Sequence, residues 1–548
     1  MNEVVAINKY ENIFFRFNID HYLLGILFIA SILIFGLDLN SGGFWWTDES
    51  RHAMDGVFIL DLLKDRPFSR LYDYAVEYFV HYPALGFTWY LPFFALVESF
   101  FFSIFGISAT TARFTELFFI LLTILAWYAW AKPIWGRIPV FFSICLFLVS
   151  PQVILWSRAI MLEVPALAMM MLSLYAFSCY LKKPSHWLSI VTGLIIGSML
   201  LTKQLSVLLF PILLAEIWAS GAWKKAMQLK SLAGSLIIAV ALAIVAMHAM
   251  KFGSTAMGNL ETNAGNIISI ERFGLNFKAA WEAYPPPFWL LIGAGVATML
   301  KVKRQRSDFI LMTWIISWFI LFAIFSNYYA NTLRYTIYMT PAIALISTRW
   351  LSEITNSSIK KYAIGLLTIF YSGYGLARIN EQALFVNGYE KAAAYVLASP
   401  SKAPILFCCK HDGNFIFDTR IGDPKRNKII LRADKILVSI ATMKVFGVKS
   451  YVTSDKDIFE LLDRYGIELI VAENKDIVGT PELTRLIELL KTDAFEKLKS
   501  IDISTNVPQF KDLSVNIYRY KRSKPIANGE IEIPMPHIGR TLHLKLEN

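Results

Sequence analysis

Two adjacent carboxylates, Asp48 and Glu49, stand directly after an apolar run and a pair of tryptophans. Thr47 can cap a helix that begins with these acids. On such a helix Arg51 and His52 share a face with Asp48, because residues three and four positions apart are neighbours. A carboxylate, a guanidinium and an imidazole on one face could remove a proton and bind an anion. A structural role fits the same spacing, since acids favour helix N-termini and Arg51 could neutralise them.

The composition is that of a membrane protein with several spans. Of the 548 residues, 55% are hydrophobic and only 17% are charged, and the mean hydropathy is +0.48, which is too apolar for an ordinary soluble protein. The net charge of +11 does not indicate nucleic-acid binding, because many Lys and Arg residues form short clusters between apolar runs. The four cysteines, including the adjacent Cys408 and Cys409, match no disulfide framework or metal-ligand spacing.

Apolar runs predict about eleven transmembrane helices, although several runs are shorter than the ~20 residues that a spanning helix needs. The predicted fold class is therefore a mainly α, polytopic membrane protein. The runs are residues 21–37, 114–131, 138–151, 164–181, 187–202, 205–219, 232–249, 288–300, 309–326, 335–349 and 361–378.

The basic clusters indicate how the chain is oriented. One more run, 85–107, is long enough to cross a membrane but contains Pro92 and Glu98. If it does not cross, the basic clusters all fall on one side, as the positive-inside rule requires. We therefore predict one long outer loop at 38–113, within which 85–107 lies in or along the membrane interface.

The C-terminal part has the composition of a soluble domain. Strand-like segments at 404–409, 428–431 and 467–472, together with intervening helical runs, indicate a small α/β domain. The predicted organisation is a transmembrane domain at 1–379 and an extracytoplasmic α/β domain at 380–548. The sequence of the second domain contains no phosphate-binding loop and no catalytic-triad motif, so we assign it no chemistry.

The predicted topology places the unusual polar residues at the outer face of the membrane. Ionisable groups at membrane depth are costly and usually line a polar cavity. A single such residue could also be a boundary side chain that reaches the lipid headgroups. The residues that converge on this face are Asp48, Glu49, Arg51, His81, Tyr82, Arg113, Glu163, Lys203, Arg334 and Tyr335.

Six short motifs resemble, in order, those of one enzyme family. The segment Trp46–Arg51 resembles the acidic first-loop motif of the C-type (GT-C) membrane glycosyltransferases, in the branch of the protein O-mannosyltransferases and the lipid A aminoarabinose transferases. Tyr82 stands where the lipid A branch has Lys, and Glu163 where Asp is commoner, which leaves the sugar and the acceptor open. The resemblance covers roughly residues 20–350, and its other motifs are His81-Tyr82-Pro83, Gly106 to Arg113, Glu163-Val164-Pro165, Leu201-Thr202-Lys203 and Arg334-Tyr335.

The resemblance implies an inverting transfer of a sugar from a polyprenyl-phosphate donor to a lipid, glycan or protein acceptor at the outer face of the plasma membrane. It implies that Asp48 is the general base, while Glu49 orients it or binds the acceptor or a metal ion. Glu163, the second acid, would orient the acceptor, or would join Asp48 in holding a divalent metal ion. The leaving phosphate would be stabilised by Lys203, Arg334 and Arg51. Substrate contacts would come from His81, Tyr82, Arg113 and Tyr335.

Two interpretations from other classes stay open. A transporter or flippase of a lipid-linked saccharide would line its path with charges, usually near the middle of the membrane and between paired helical repeats. A scaffold for envelope assembly would act through its C-terminal domain. The position of the acids at one membrane boundary, beside a large outer domain, favours catalysis over both.

Overall fold

The computed structural model describes residues 19–252, 270–301, 306–325, 333–440, 448–477, 479–524, 530–535 and 540–545. Up to residue 379 the described chain is helical. The first ten helices are α1 (Ile19–Ser31), α2 (Thr47–Asp65), α3 (Leu71–His81), α4 (Phe93–Phe105), α5 (Ala109–Trp135), α6 (Arg137–Val149), α7 (Pro151–Ser157), α8 (Glu163–Lys182), α9 (His186–Leu200) and α10 (Leu209–Ser220). The next seven are α11 (Trp223–Ala226), α12 (Leu232–Phe252), α13 (Ile270–Ala283), α14 (Pro286–Lys301), α15 (Arg306–Phe325), α16 (Thr340–Thr348) and α17 (Ser357–Ile379).

The protein is a multi-pass membrane protein, and its longest apolar helices are the candidate spans. In the part of the chain that the structure describes, five helices are long and apolar enough to cross a membrane: Ile19–Gly36, Ala109–Trp135, Glu163–Lys182, Leu229–Lys251 and Arg306–Ile324. Two bent pairs raise this number to seven if each pair is one span, with bends of 61° after Val149 and 108° after Ala283. The eleven predicted spans therefore stay a prediction, because the other apolar helices are shorter.

The segment predicted as a long loop, 38–113, is itself largely helical and contains α2, α3 and α4. Helix α2 packs against α4, and it is buried around most of its circumference, including His52 and Met54. The helix ends at Arg66, whose φ of 52° is left-handed and whose backbone N–H donates to the carbonyl of Leu62. A left-handed residue is a common way to end a helix because it satisfies a free carbonyl.

The C-terminal region is built around a five-stranded mixed sheet. Its order is β3-β2-β6-β9-β7, in which β2 is parallel to β3 and β6, and β9 is antiparallel to β6 and β7. The strands are β1 (Val386–Asn387), β2 (Ile405–Cys408), β3 (Ile430–Arg432), β4 (Val438–Ile440), β5 (Val448–Ser450), β6 (Leu469–Glu473), β7 (Phe495–Asp502), β8 (Ser504–Thr505), β9 (Ser514–Tyr520), β10 (Glu530–Met535) and β11 (Arg540–Lys545). The helices are α18 (Tyr389–Ala398), α19 (Asp412–Gly422), α20 (Ala433–Ile436), α21 (Asp455–Arg464) and α22 (Pro481–Leu489).

Three ion pairs connect α2 to α19 and to the residues that follow α19. We call these pairs the clasp, and they are Arg51–Asp412, Asp61–Arg420 and Asp65–Arg426. The helices approach so closely that a Cβ added at Gly413 would lie 2.0 Å from the hydroxyl oxygen of Ser50. A side chain at position 413 would therefore force the side chains of Ser50 or Arg51 to move. The clasp therefore joins the start of the chain to its C-terminal domain along the length of α2.

Candidate active site

Glu49 fixes the start of α2. One of its carboxylate oxygens accepts the backbone N–H groups of Trp45 and Trp46 at 3.0 and 2.9 Å, and the other accepts that of Ile160 at 3.1 Å. The side chain is fully buried, and burial raises the pKa of Glu49. Backbone N–H groups thus occupy both carboxylate oxygens of Glu49. This geometry fits a residue that orients its neighbour Asp48, which is one of the roles predicted for Glu49.

Asp48 points toward open space. Its side chain is 29% exposed, and one carboxylate oxygen lies 3.9 Å from the guanidinium of Arg334. It lines a cavity of about 440 Å³. Among the predicted acids, Asp48 is thus the one that a substrate can reach, while Glu49 and Glu163 are fully buried.

Glu163, Lys203 and Arg334 form a buried cluster next to Asp48. One oxygen of Glu163 accepts from the ammonium of Lys203 at 2.5 Å and lies 3.1 Å from Nε of Arg334. All three side chains are at most 7% exposed. Two cations and one carboxylate leave one net positive charge in the cluster, and the Asp48 carboxylate beside Arg334 balances it.

Aromatic rings hold the two cations in place. The guanidinium carbon of Arg334 lies 5.3 Å from the ring centre of Trp156 and 5.1 Å from that of Tyr335. The Lys203 ammonium lies 5.2 Å from the same Tyr335 ring. Cation–π contacts of this kind stabilise buried cations without neutralising them. Tyr335, predicted to contact substrate, thus supports both predicted phosphate-binding cations.

His52 is a further buried polar group on the same face of α2. Its ring centre lies 4.5 Å from that of Tyr90, and Nε2 has no hydrogen-bond partner among the described residues. Burial lowers the pKa of His52 to about 4, so the imidazole is neutral at physiological pH. The sequence placed His52 beside Asp48 but suggested no role for either the histidine or Tyr90.

The cavity lies between the two parts of the chain. One wall comes from α2 and the segment after α3, with Asp48, Arg51 and Gly86, and the other from the C-terminal domain, which the sequence did not associate with the site. Arg51, predicted to bind phosphate, lines this cavity and donates to both carboxylate oxygens of Asp412 at 3.1 and 3.0 Å. The C-terminal residues on the cavity are Cys409, Lys410, Asp412, Arg432, Asp434, Lys435, Leu483 and Met535.

None of the four predicted substrate contacts lines this cavity; Tyr335 lies beside the buried cations, and the other three lie elsewhere. Tyr82 is fully buried and donates to Asp423 at 2.9 Å, which attaches the first loop to the C-terminal domain. Arg113 donates to backbone carbonyls between residues 39 and 43. His81 lies at the end of α3, with Nδ1 2.8 Å from a backbone carbonyl of that helix. Each of these three side chains thus contacts another part of the chain, and its predicted contact with a substrate stays a prediction.

The geometry does not fit a divalent ion held by Asp48 and Glu163. The Arg334 guanidinium is paired with both carboxylates, and Lys203 is in contact with the second. A metal ion there would be repelled by two fixed cations.

The predicted resemblance to the C-type (GT-C) membrane glycosyltransferases is confirmed by comparison with known proteins. A family model described as dolichyl-phosphate-mannose-protein mannosyltransferase matches residues 91–250. A search of curated protein sequences finds no significant match.

Solved structures share the fold at low sequence identity. The structure of ArnT from Cupriavidus metallidurans bound to undecaprenyl phosphate has a TM-score of 0.56 and 13% identity, over 91% of this chain and 99% of that one. The archaeal oligosaccharyltransferase AglB from Archaeoglobus fulgidus, in complex with an inhibitory peptide and a dolichol-phosphate, has a TM-score of 0.50 and 11% identity, over 83% of this chain and 69% of that one.

Proposed function

We propose that the protein transfers a sugar from a polyprenyl-phosphate donor to an acceptor hydroxyl at the outer face of the plasma membrane, with inversion at the anomeric carbon. The observation that carries this proposal is the contact between an accessible carboxylate, Asp48, and a buried cluster with excess positive charge. The similar structures with bound undecaprenyl phosphate and dolichol-phosphate support the choice of donor. The acceptor is a lipid, a glycan or a protein.

Asp48 acts as the general base in this proposal. An acceptor hydroxyl is a weak nucleophile, so its proton must leave as the oxygen attacks the anomeric carbon. Glu49 holds the start of α2 and thereby fixes where the Asp48 carboxylate lies. The proton passes from the hydroxyl to Asp48 while the new glycosidic bond forms.

The leaving group is polyprenyl phosphate, whose negative charge grows as the bond to the sugar breaks. Arg334 and Lys203 stabilise that charge because they are fixed before the reaction begins. Glu163 keeps the two cations together and is not itself the base. A single displacement with attack opposite the phosphate inverts the anomeric centre, so no covalent sugar–enzyme intermediate forms.

The test is incubation of the purified protein with a panel of polyprenyl-phosphate sugars and candidate acceptors, with release of polyprenyl phosphate as the measurement. We expect release that depends on the sugar and on the acceptor. A transporter would move the lipid-linked sugar between leaflets and release nothing. Intact donors throughout the panel would refute the proposed function.

The proposed orientation can be tested with an impermeant thiol reagent in intact cells. In a background without native cysteines, Lys402→Cys should be labelled and Lys224→Cys should not. Both positions are exposed, and Lys224 belongs to a basic cluster that the positive-inside rule places in the cytoplasm. Labelling at position 224 with none at 402 would reverse the orientation.

Arg334→Lys should weaken donor use although it keeps the positive charge. Lysine cannot reproduce the planar guanidinium that spans Asp48 and Glu163, and a hydrogen bond to a charged group contributes ~1.5–3 kcal/mol. We expect kcat/KM for the donor to fall roughly tenfold to a hundredfold. Arg378→Lys, a partly exposed change at the end of α17, is the control. Equal donor kinetics in wild type and Arg334→Lys would remove Arg334 from donor binding.

A further inference from the structure

Two adjacent cysteines lie in the cavity wall that the C-terminal domain contributes. Cys408 ends β2 and is fully buried, while Cys409 is 7% exposed and lines the cavity. Both thiols are free, and their Sγ atoms are 3.0 Å apart. The sulfurs of a disulfide bond are ~2.0 Å apart, so a further approach of about 1 Å would bring this pair to bonding distance.

The backbone around Cys409 is held in the conformation that brings the two thiols together. Cys409 has a φ of 104°, a left-handed value that residues other than glycine rarely adopt. Such a conformation persists only where the surrounding structure maintains it. Here the backbone N–H groups of Lys410 and His411 donate to the carboxylate of Glu473 at 3.3 and 2.9 Å, and Asp412 belongs to the clasp. The fold therefore maintains the contact between the thiols despite the strained backbone.

The surroundings of the pair favour a disulfide over a metal site. A metal ion held by two thiolates would need further ligands. Within the described ranges, neither cysteine belongs to a group of three or more His, Cys, Asp or Glu residues that could hold an ion. The hydrogen bond to Cys408 and burial raise the pKa of Cys409, so the reduced pair is protonated at neutral pH. Disulfide formation needs a thiolate only transiently.

We propose that Cys408 and Cys409 form a disulfide between neighbouring residues, which is a reversible covalent modification of the wall of the active-site cavity. This inference rests on the proposed orientation, which places the C-terminal domain in a compartment where disulfides persist. The oxidised pair presents no thiol to the cavity. The reduced pair presents the thiol of Cys409 to any reagent or substrate that enters.

The oxidant is a disulfide, either of a small thiol or of a thiol–disulfide oxidoreductase. Cys409, which lines the cavity, attacks one sulfur of the oxidant as a thiolate and displaces the other. Cys408 then attacks the Cys409 sulfur of the mixed disulfide and displaces the second oxidant sulfur. Two protons and two electrons leave the cysteine pair, and the oxidant is reduced to two thiols. The second step is favoured because the two sulfurs are already in contact.

The first test counts free thiols in the full-length protein taken from intact cells. The cells are lysed in denaturant with N-ethylmaleimide, and the protein is then reduced, labelled with iodoacetamide, digested and analysed by mass spectrometry. We expect iodoacetamide on Cys408 and Cys409, and N-ethylmaleimide on Cys145 and Cys179, which are single cysteines on α6 and α8. Without reduction, the peptide that contains both Cys408 and Cys409 should be lighter by two hydrogen atoms. N-ethylmaleimide on both cysteines, or a disulfide to another peptide, would overturn the inference.

The second test asks whether the pair borders the reacting substrates. Phenylarsine oxide bridges two neighbouring thiols, so it should inhibit release of polyprenyl phosphate by the reduced protein, and a dithiol should reverse the inhibition. Protein first oxidised with glutathione disulfide should be resistant. Cys408→Ser should also be resistant, whereas Cys179→Ser should be inhibited as the wild type is. Equal inhibition of the reduced wild type and Cys408→Ser would contradict the inference.

The results separate failure of this inference from failure of the proposed function. If the cysteine pair is oxidised but no donor and acceptor give release of polyprenyl phosphate, the modification stands and the proposed reaction is refuted. If release occurs and Lys402→Cys is labelled from outside, but the pair is reduced in cells, the inference alone is refuted. If Lys402→Cys is protected in intact cells, the orientation fails and the inference fails with it.

Discussion

Asp48→Asn should slow the chemical step by ~10²–10⁴-fold, the usual effect of losing a general base. Asparagine keeps the size of the side chain and can still contact Arg334, which lies 3.9 Å away in the wild type, but it cannot accept a proton at neutral pH. Donor affinity should therefore remain close to that of the wild type. The measurement is single-turnover release of polyprenyl phosphate, with donor binding determined separately.

Asp73→Asn is the matched control for this substitution, because Asp73 is an exposed acid in the same loop segment. It should leave both quantities unchanged. If Asp48→Asn turned over at a normal rate while Glu163→Gln was inactive, the base would have to be reassigned to Glu163. A parallel loss of donor binding and turnover in Asp48→Asn would indicate a lining residue, as a transporter would have.

Glu163→Gln should destabilise the folded protein by ~3–5 kcal/mol, because removal of one partner leaves buried charges uncompensated. The glutamate is fully buried and holds both Lys203 and Arg334. Polyprenyl phosphate should stabilise this variant more than the wild type, since its phosphate supplies the missing negative charge. The measurement is the midpoint of thermal unfolding in lipid nanodiscs, with and without the lipid phosphate.

Glu353→Gln provides the comparison for Glu163. Glu353 also pairs with an arginine, Arg349, but its side chain is 33% exposed, and pairs of that kind contribute ~0–1 kcal/mol. A similar loss of stability in the two variants would show that Glu163 is not the centre of a buried ion cluster. An identical response of wild type and Glu163→Gln to polyprenyl phosphate would place the phosphate elsewhere.

The sequence was sufficient to predict which charges lie together in the transmembrane part. Glu163, Lys203 and Arg334 are far apart in the chain, yet each stands at the end of an apolar run, and burial in lipid would be too costly for any of them alone. Orientation by the basic clusters then placed them on one face. The structure brings all three together with Asp48.

Spans and supporting contacts were harder to predict. A hydropathy pattern cannot show that an apolar run bends, as the chain does by 108° between α13 and α14. Tyr82 and Arg113 occupy motif positions, but the motif could not distinguish a substrate contact from a hydrogen bond to another part of the chain. The role of the C-terminal domain had no local signal, because Arg51 and Asp412 are 361 residues apart.

Because Arg51 and Asp412 are 361 residues apart, the ion pair between them can form only late in biosynthesis. At ~5–20 residues per second, ribosomes need roughly 20–70 s to progress from Arg51 to Asp412. During this interval α2 is already made, but the clasp that holds it is not. A nascent or prematurely terminated chain can therefore insert α2 and the helices after it before any of the three ion pairs of the clasp can form.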